Sequence, residues 1–153
     1  MLKQQIQANT KEAMKQKNQE LVGVLRMAVA AINAKEKEQF YKLGKEVVLT
    51  DDEIIGVIAG EIKKRRDAIA LYQQGGRPEL AEVETKEIAM LQAYLPAQLS
   101  ADELKKLVEA SITKTGAKEM KDMGRIMADL MPQVKGRAEN SEISKIIKEL
   151  LGA

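Results

Sequence analysis

The chain is predicted to be all-α, and three observations point that way. Apolar residues recur at three- and four-residue steps along most of its 153 residues, the period of a helix buried on one side. Aromatic residues make up only 3% and tryptophan is absent, so the cores have to be built from Ile, Leu, Val, Met and Ala, which favours helices. Breaks at Gly44, Gly75-Gly76-Arg77-Pro78, Pro96 and Gly116 separate the periodic stretches. The expected architecture is an N-terminal helical hairpin-type domain over residues 1–97 and a small C-terminal three-helix domain over residues 98–153.

The first helix, Leu2 to about Gln16, carries a weak stripe of Leu2, Ile6, Ala13 and Met14 and is expected to lean on its neighbours. Asn18 suits the N-cap of the second, whose core face is Leu21, Val24, Leu25, Ala28 and Ile32. That helix is expected to fade into Lys35-Glu-Lys-Glu38, with Gly44 as a stop and Lys45 to Leu49 an extended connector covering a helix end. Thr50-Asp-Asp-Glu53 predicts a capping box, and from it a third helix to about Gln73 with Ile55, Ile58, Ile62, Ile69 and Tyr72 inward. Its Lys63-Lys-Arg-Arg66 run points all round the helix, so a solvated, partly snorkelling face is favoured over an RNA contact.

After the glycine break, Pro78 fits the first turn of a returning helix that docks through Leu80, Val83, Glu87, Met90, Leu91 and Tyr94. Pro96 ends it, and Ser100 with Glu103 forms the capping box of the next helix, built on Leu104, Leu107, Val108 and Ile112 and closed by Thr115-Gly116. Met120, Met123, Met127 and Met131 then mark one face of a helix expected to end near Met131, because Pro132 cannot continue it. A methionine stripe can serve an adaptable binding surface, but core filling is favoured. Ile143, Ile146, Ile147 and Leu150 define the last helix.

Absent residue types narrow the chemistry. Without Cys or His there is no disulfide, thiolate nucleophile, Ser-His-Asp relay or His- or Cys-ligated zinc site. No pair among the 23 acidic residues stands out for acid–base work, and no Walker or Rossmann motif occurs. No catalytic residue, cofactor or metal is therefore expected. The start, Met-Leu-Lys-Gln-Gln, lacks the apolar core of a signal peptide, and no apolar run is long enough to span a bilayer, so a cytoplasmic protein without membrane contact is expected. A formal charge of +2 does not announce a nucleic-acid binder; any such activity has to rest on local patches.

The stretch from Lys121 to Ala138 carries the one such candidate. Lys135-Gly136-Arg137 sets two cations around a residue able to take positive φ, just before a helix whose first turn has unpaired N–H groups. A phosphate could be held there. A plain turn flanked by solvated charges accounts for the same residues.

Leu25-Arg-Met27, Glu61 to Asp67, Gly76-Arg-Pro-Glu-Leu80, Tyr94-Leu-Pro-Ala-Gln-Leu-Ser100, Asp122-Met-Gly124, Met127, Met131-Pro132, Val134-Lys135-Gly136 and Ala138 occur in this order and spacing. In that combination the chain resembles, over essentially its whole length, the GatB/YqeY-like family. Those small helical proteins are similar to the C-terminal tail domain of the B subunit of the aspartyl/glutamyl-tRNA amidotransferase. The resemblance implies an N-terminal helical part and a C-terminal three-helix domain. It also implies a role in holding tRNA or another structured RNA, with Lys135, Gly136 and Arg137, together with Gly124 and Arg125, as the RNA-contacting positions.

The family label of carbon-nitrogen ligase with glutamine as amide donor needs a glutaminase centre and an ATP site. Neither is identifiable here, so a non-catalytic accessory protein is expected. A helical adaptor docking on a protein partner in a larger complex is the alternative. Where the family often has Asp or Asn followed by Gly or Pro after the alanine, this chain has Glu139-Asn140-Ser141, which predicts a cap shifted to Asn140 or Ser141.

Overall fold

A computed structural model of the chain describes residues 1–152. They form seven α-helices and one short 3-10 helix, with no strand among the described residues, as the periodicity predicts. The chain divides into two compact units, the first Met1–Leu95 and the second beginning at Pro96.

The first unit contains α1 (Leu2–Lys15), α2 (Gln19–Leu43), α3 (Asp51–Gln74) and α4 (Pro78–Gln92). Ile6, Leu25, Ile32, Ile54, Ile58 and Leu91 anchor its aliphatic core. Asn18 caps α2 by accepting from the Leu21 N–H, and Thr50 and Glu53 complete the expected capping box of α3. Rather than fading at Lys35–Glu38, α2 runs on to Leu43, and Gly44 closes it in the left-handed conformation. Its polar end is held by Glu38, which pairs with Lys35 and Lys42 at helical spacing.

In the extended connector Leu49 is buried and Val48 is 73% exposed, as alternation requires, so only part of the expected apolar cover faces inward. On α3 the buried line is Ile54, Ile58, Glu61, Ile62 and Arg65, one step off the expected start at Ile55. On α4, Ala81, Ile88 and Leu91 are buried while Val83 points outward. Ile58 and Ile62 are buried as expected, and Arg65 is buried beside them, 2.9 Å from Glu87 and 4.0 Å from Glu84 of α4.

The second unit contains α5 (Ala101–Thr115), a 3-10 turn (Met120–Asp122), α6 (Met123–Val134) and α7 (Asn140–Leu150). Ser100 and Glu103 form the predicted capping box, and Gly116 ends α5 in the left-handed conformation. Leu104, Val108, Ile126, Leu130, Val134, Ile143 and Ile147 make the core.

Of two expectations about α6, one is corrected and one holds in part. Pro132 does not end it: the helix continues to Val134, and the Lys135 N–H still donates to the Met131 carbonyl at 3.1 Å. Proline forfeits only its own N–H there, within the last turn and on the exposed side. The methionines do pack against the core, as favoured, but beside its centre. Ile126, Leu130 and Val134 are fully buried, whereas Met123, Met127 and Met131 flank them half-buried, and Met120 sits in the preceding 3-10 turn.

Candidate nucleic-acid interface

The α6–α7 loop is built by hydrogen bonds that residues 97–99 bring to it. Gly136 takes φ +72°, the left-handed conformation expected of it, and is buried. Its carbonyl accepts from Gln98 Nε2 at 2.7 Å. The Leu99 N–H donates to the Arg137 carbonyl at 2.8 Å, and Arg137 Nε donates to the Ala97 carbonyl at 3.0 Å. Arg137 also reaches the Gln133 carbonyl with its guanidinium at 3.4 Å. Arg137 is thus first a clamp that fastens the segment entering α5 to the loop leaving α6. Lys135 differs: it is the exposed C-cap of α6 and makes no ion pair among the described residues.

Charge around this loop is mixed. The Glu103 carboxyl is held below its ordinary range chiefly by the Ser100 backbone N–H and then the Ser100 hydroxyl, with Arg137 and Lys106 adding weaker attraction. Lys106 and Arg137 therefore share Glu103 as a neighbour. At the start of α7 the N-cap is Glu139, not Asn140 or Ser141, and Glu142 lies in the first turn. Ser141 Oγ turns back to donate to Glu139 Oε2 at 3.1 Å. Two carboxylates thus occupy the positive end of α7, where the sequence suggested a phosphate, and repel an anion there. Any phosphate contact falls to the lysines rather than to that helix end.

Gly124 and Arg125 are exposed at the opposite end of α6, about 16 Å along the helix from Lys135 at 1.5 Å per residue. Arg125 is already engaged with Asp122 at 2.6 Å. Asp122 in turn is lowered to about 2, first by the Lys118 backbone N–H, then by Arg125 and the Glu119 N–H. The five sequence-predicted positions therefore form two separate groups. The loop group is completed by Gln98, Glu103 and Lys106, which sequence reasoning did not assign to it. The one signal that pointed there was the Ser100–Glu103 capping box, which orients the start of α5.

The Lys63–Arg66 run resolves unevenly. Lys63 is exposed and Lys64 pairs with Glu61 at 2.6 Å, but Arg65 is only 5% exposed, contrary to the expectation of a solvated face. Arg65 Nε donates to Glu87 Oε2 at 2.9 Å and its NH1 group to the Glu61 carbonyl and carboxylate at 3.1 and 3.2 Å, with Glu84 at 4.0 Å. Burial of so strong a cation is tolerable only with such partners.

Among the described residues no cluster of His, Cys, Asp and Glu has the arrangement of a metal site, and no helix is long and apolar enough to cross a membrane. A family model described as Yqey-like protein matches residues 3–151. A Schizosaccharomyces pombe protein described as uncharacterized protein C22F3.15 is 28% identical over 89 residues, covering 58% of this chain and 68% of the relative.

Proposed function

The chain belongs to the YqeY-like family, and on that footing we propose that it is a non-catalytic accessory protein that binds tRNA or another structured RNA through its second unit. In this proposal the second unit serves as a domain like the tail of the amidotransferase B subunit, and the first as a separate helical domain. The observation that carries it is local, since the unit's ten cations and nine carboxylates nearly balance: Lys106 and Lys135 are exposed and make no ion pair among the described residues. The unit has no aromatic residue, so it would grip RNA by phosphate contact and shape rather than by base stacking.

Binding of total tRNA across a salt series tests this. Lys106→Glu/Lys135→Glu is the informative variant, because both side chains are exposed and neither holds the fold as Arg137 does. The expected result is salt-sensitive binding whose logarithmic slope falls by about 0.7 to 0.9 for each phosphate the variant no longer neutralises. Absence of wild-type binding near physiological salt would reject the RNA role, and unchanged binding in the variant would move the site elsewhere.

Docking on a protein partner is the second reading. It is favoured by Met14, Met27, Leu71 and Val83, large apolar side chains exposed on the first unit, rather than by the half-buried methionines of α6. A partner that stays bound after nuclease treatment and is released by Leu71→Glu would support it.

A further inference from the structure

Between residues 40 and 48 the first unit leaves four large apolar side chains in solvent: Phe40, Tyr41 and Leu43 at the end of α2, and Val48 in the connector. Phe40 is the chain's only phenylalanine, and both cores are closed without it. The two rings meet edge to face, 5.7 Å between centroids, and Tyr41 is 72% exposed.

Charge accompanies the rings. From Lys35 to Val48 there are four lysines against three glutamates, and Glu36 is drawn away to Lys3 of α1 at 2.6 Å. Glu38 is shared by Lys35 and Lys42, which leaves Lys37 and Lys45 without an ion pair among the described residues. Lys37 Nζ lies 5.9 Å from the centre of the Tyr41 ring.

Exposed flat rings bordered by free cations match a strand that offers a π-face and a phosphate at every nucleotide. A neutral apolar ligand would leave the lysines idle, and a helix end meant for water alone has no use for the rings. We propose that the end of α2 is a stacking platform for unpaired bases of a single-stranded RNA segment, with Lys37 and Lys45 on its phosphates. This goes beyond the tRNA contact of the second unit: it lies on the other unit, reads bases rather than backbone shape, and is tested with a different ligand.

The chain has no tryptophan, so Tyr41→Trp places a single reporter on the platform. Titration with a short oligoadenylate should quench its emission saturably. In filter binding, Phe40→Ala should weaken oligoadenylate binding to the otherwise unchanged chain by roughly tenfold. Lys37→Glu/Lys45→Glu should weaken it most at low salt and flatten its dependence on salt. Quenching that persists in Lys106→Glu/Lys135→Glu would uphold the platform even if tRNA binding failed. No quenching by oligoadenylate or oligouridylate would overturn the proposal. So would a blue shift produced only by phosphatidylserine vesicles, or oligoadenylate binding indifferent to Phe40→Ala.

Discussion

Arg65 and Arg137 show how differently two arginines can be used. Each donates to backbone carbonyl oxygen, but Arg65 is also enclosed by Glu61, Glu84 and Glu87, so its charge is answered inside the first unit. Arg65→Ala would take the shared cation from Glu84 and Glu87 and leave Glu61 with Lys64 alone, and should destabilise the first unit by about 3 kcal/mol in urea unfolding. Glu87→Gln should cost less, since the guanidinium keeps Glu61 and Glu84.

At Asp122 the sign of the pH effect follows from its partners. The folded carboxyl titrates at about 2 against an ordinary 3.8, because the Lys118 N–H, Arg125 and the Glu119 N–H favour the ionised form. Its contribution is complete above 3.8 and is lost as pH falls towards 2. Asp122→Asn should therefore flatten the acid-side loss of stability of the second unit over that window while leaving the neutral-pH slope unchanged. Stability measured at several pH values in both proteins checks this.

At the scale of elements, α6 is set by its buried line and by the loop after it more than by its proline. Ile126, Leu130 and Val134 pull one face inward, and the positive φ of Gly136 then turns the chain. Restoring the missing N–H with Pro132→Ala should stabilise the second unit by about 1 kcal/mol. It should not lengthen α6, because Gly136 and the Arg137 clamp still end it. A rise in thermal midpoint with unchanged far-UV helical signal is the expected outcome. The far end of α2 buries little apolar surface, and there Glu38 is lowered to about 2, chiefly by the hydrogen bond it accepts from Lys35 and then by that from Lys42; exposed as they are, these pairs add little beside the helix's buried Leu25, Ala28 and Ile32.

At the scale of the whole molecule, each unit closes its own core, the first around Leu25, Ile58 and Leu91 and the second around Val108, Ile126 and Ile143. All the tyrosines, Tyr41, Tyr72 and Tyr94, fall in the first unit, so their fluorescence reports that unit while far-UV circular dichroism reports both. Ile126→Ala removes a fully buried side chain and should cost the second unit about 3 kcal/mol. The far-UV transition should then broaden or split while the tyrosine transition stays where it was. A shared shift of both signals would show that the units unfold together.

What the sequence determined by itself was most of the local stops and starts, the stop expected at Pro132 and the cap of α7 being the exceptions. The boxes Thr50–Glu53 and Ser100–Glu103, the Asn18 cap and the turns at Gly44, Gly116 and Gly136 could all be read directly, because a cap or a left-handed residue acts on its immediate neighbours. Helical class followed from periodicity for the same reason. Tertiary structure decided that Arg65, read from the sequence as a solvated cation, is buried, since its partners Glu84 and Glu87 come from α4, about twenty residues away. It also decided that Arg137 answers Ala97 while Lys135 remains exposed, although the two flank the same glycine. Spacing along a chain places side chains on a face of one helix; which partner waits opposite that face depends on how the helices pack.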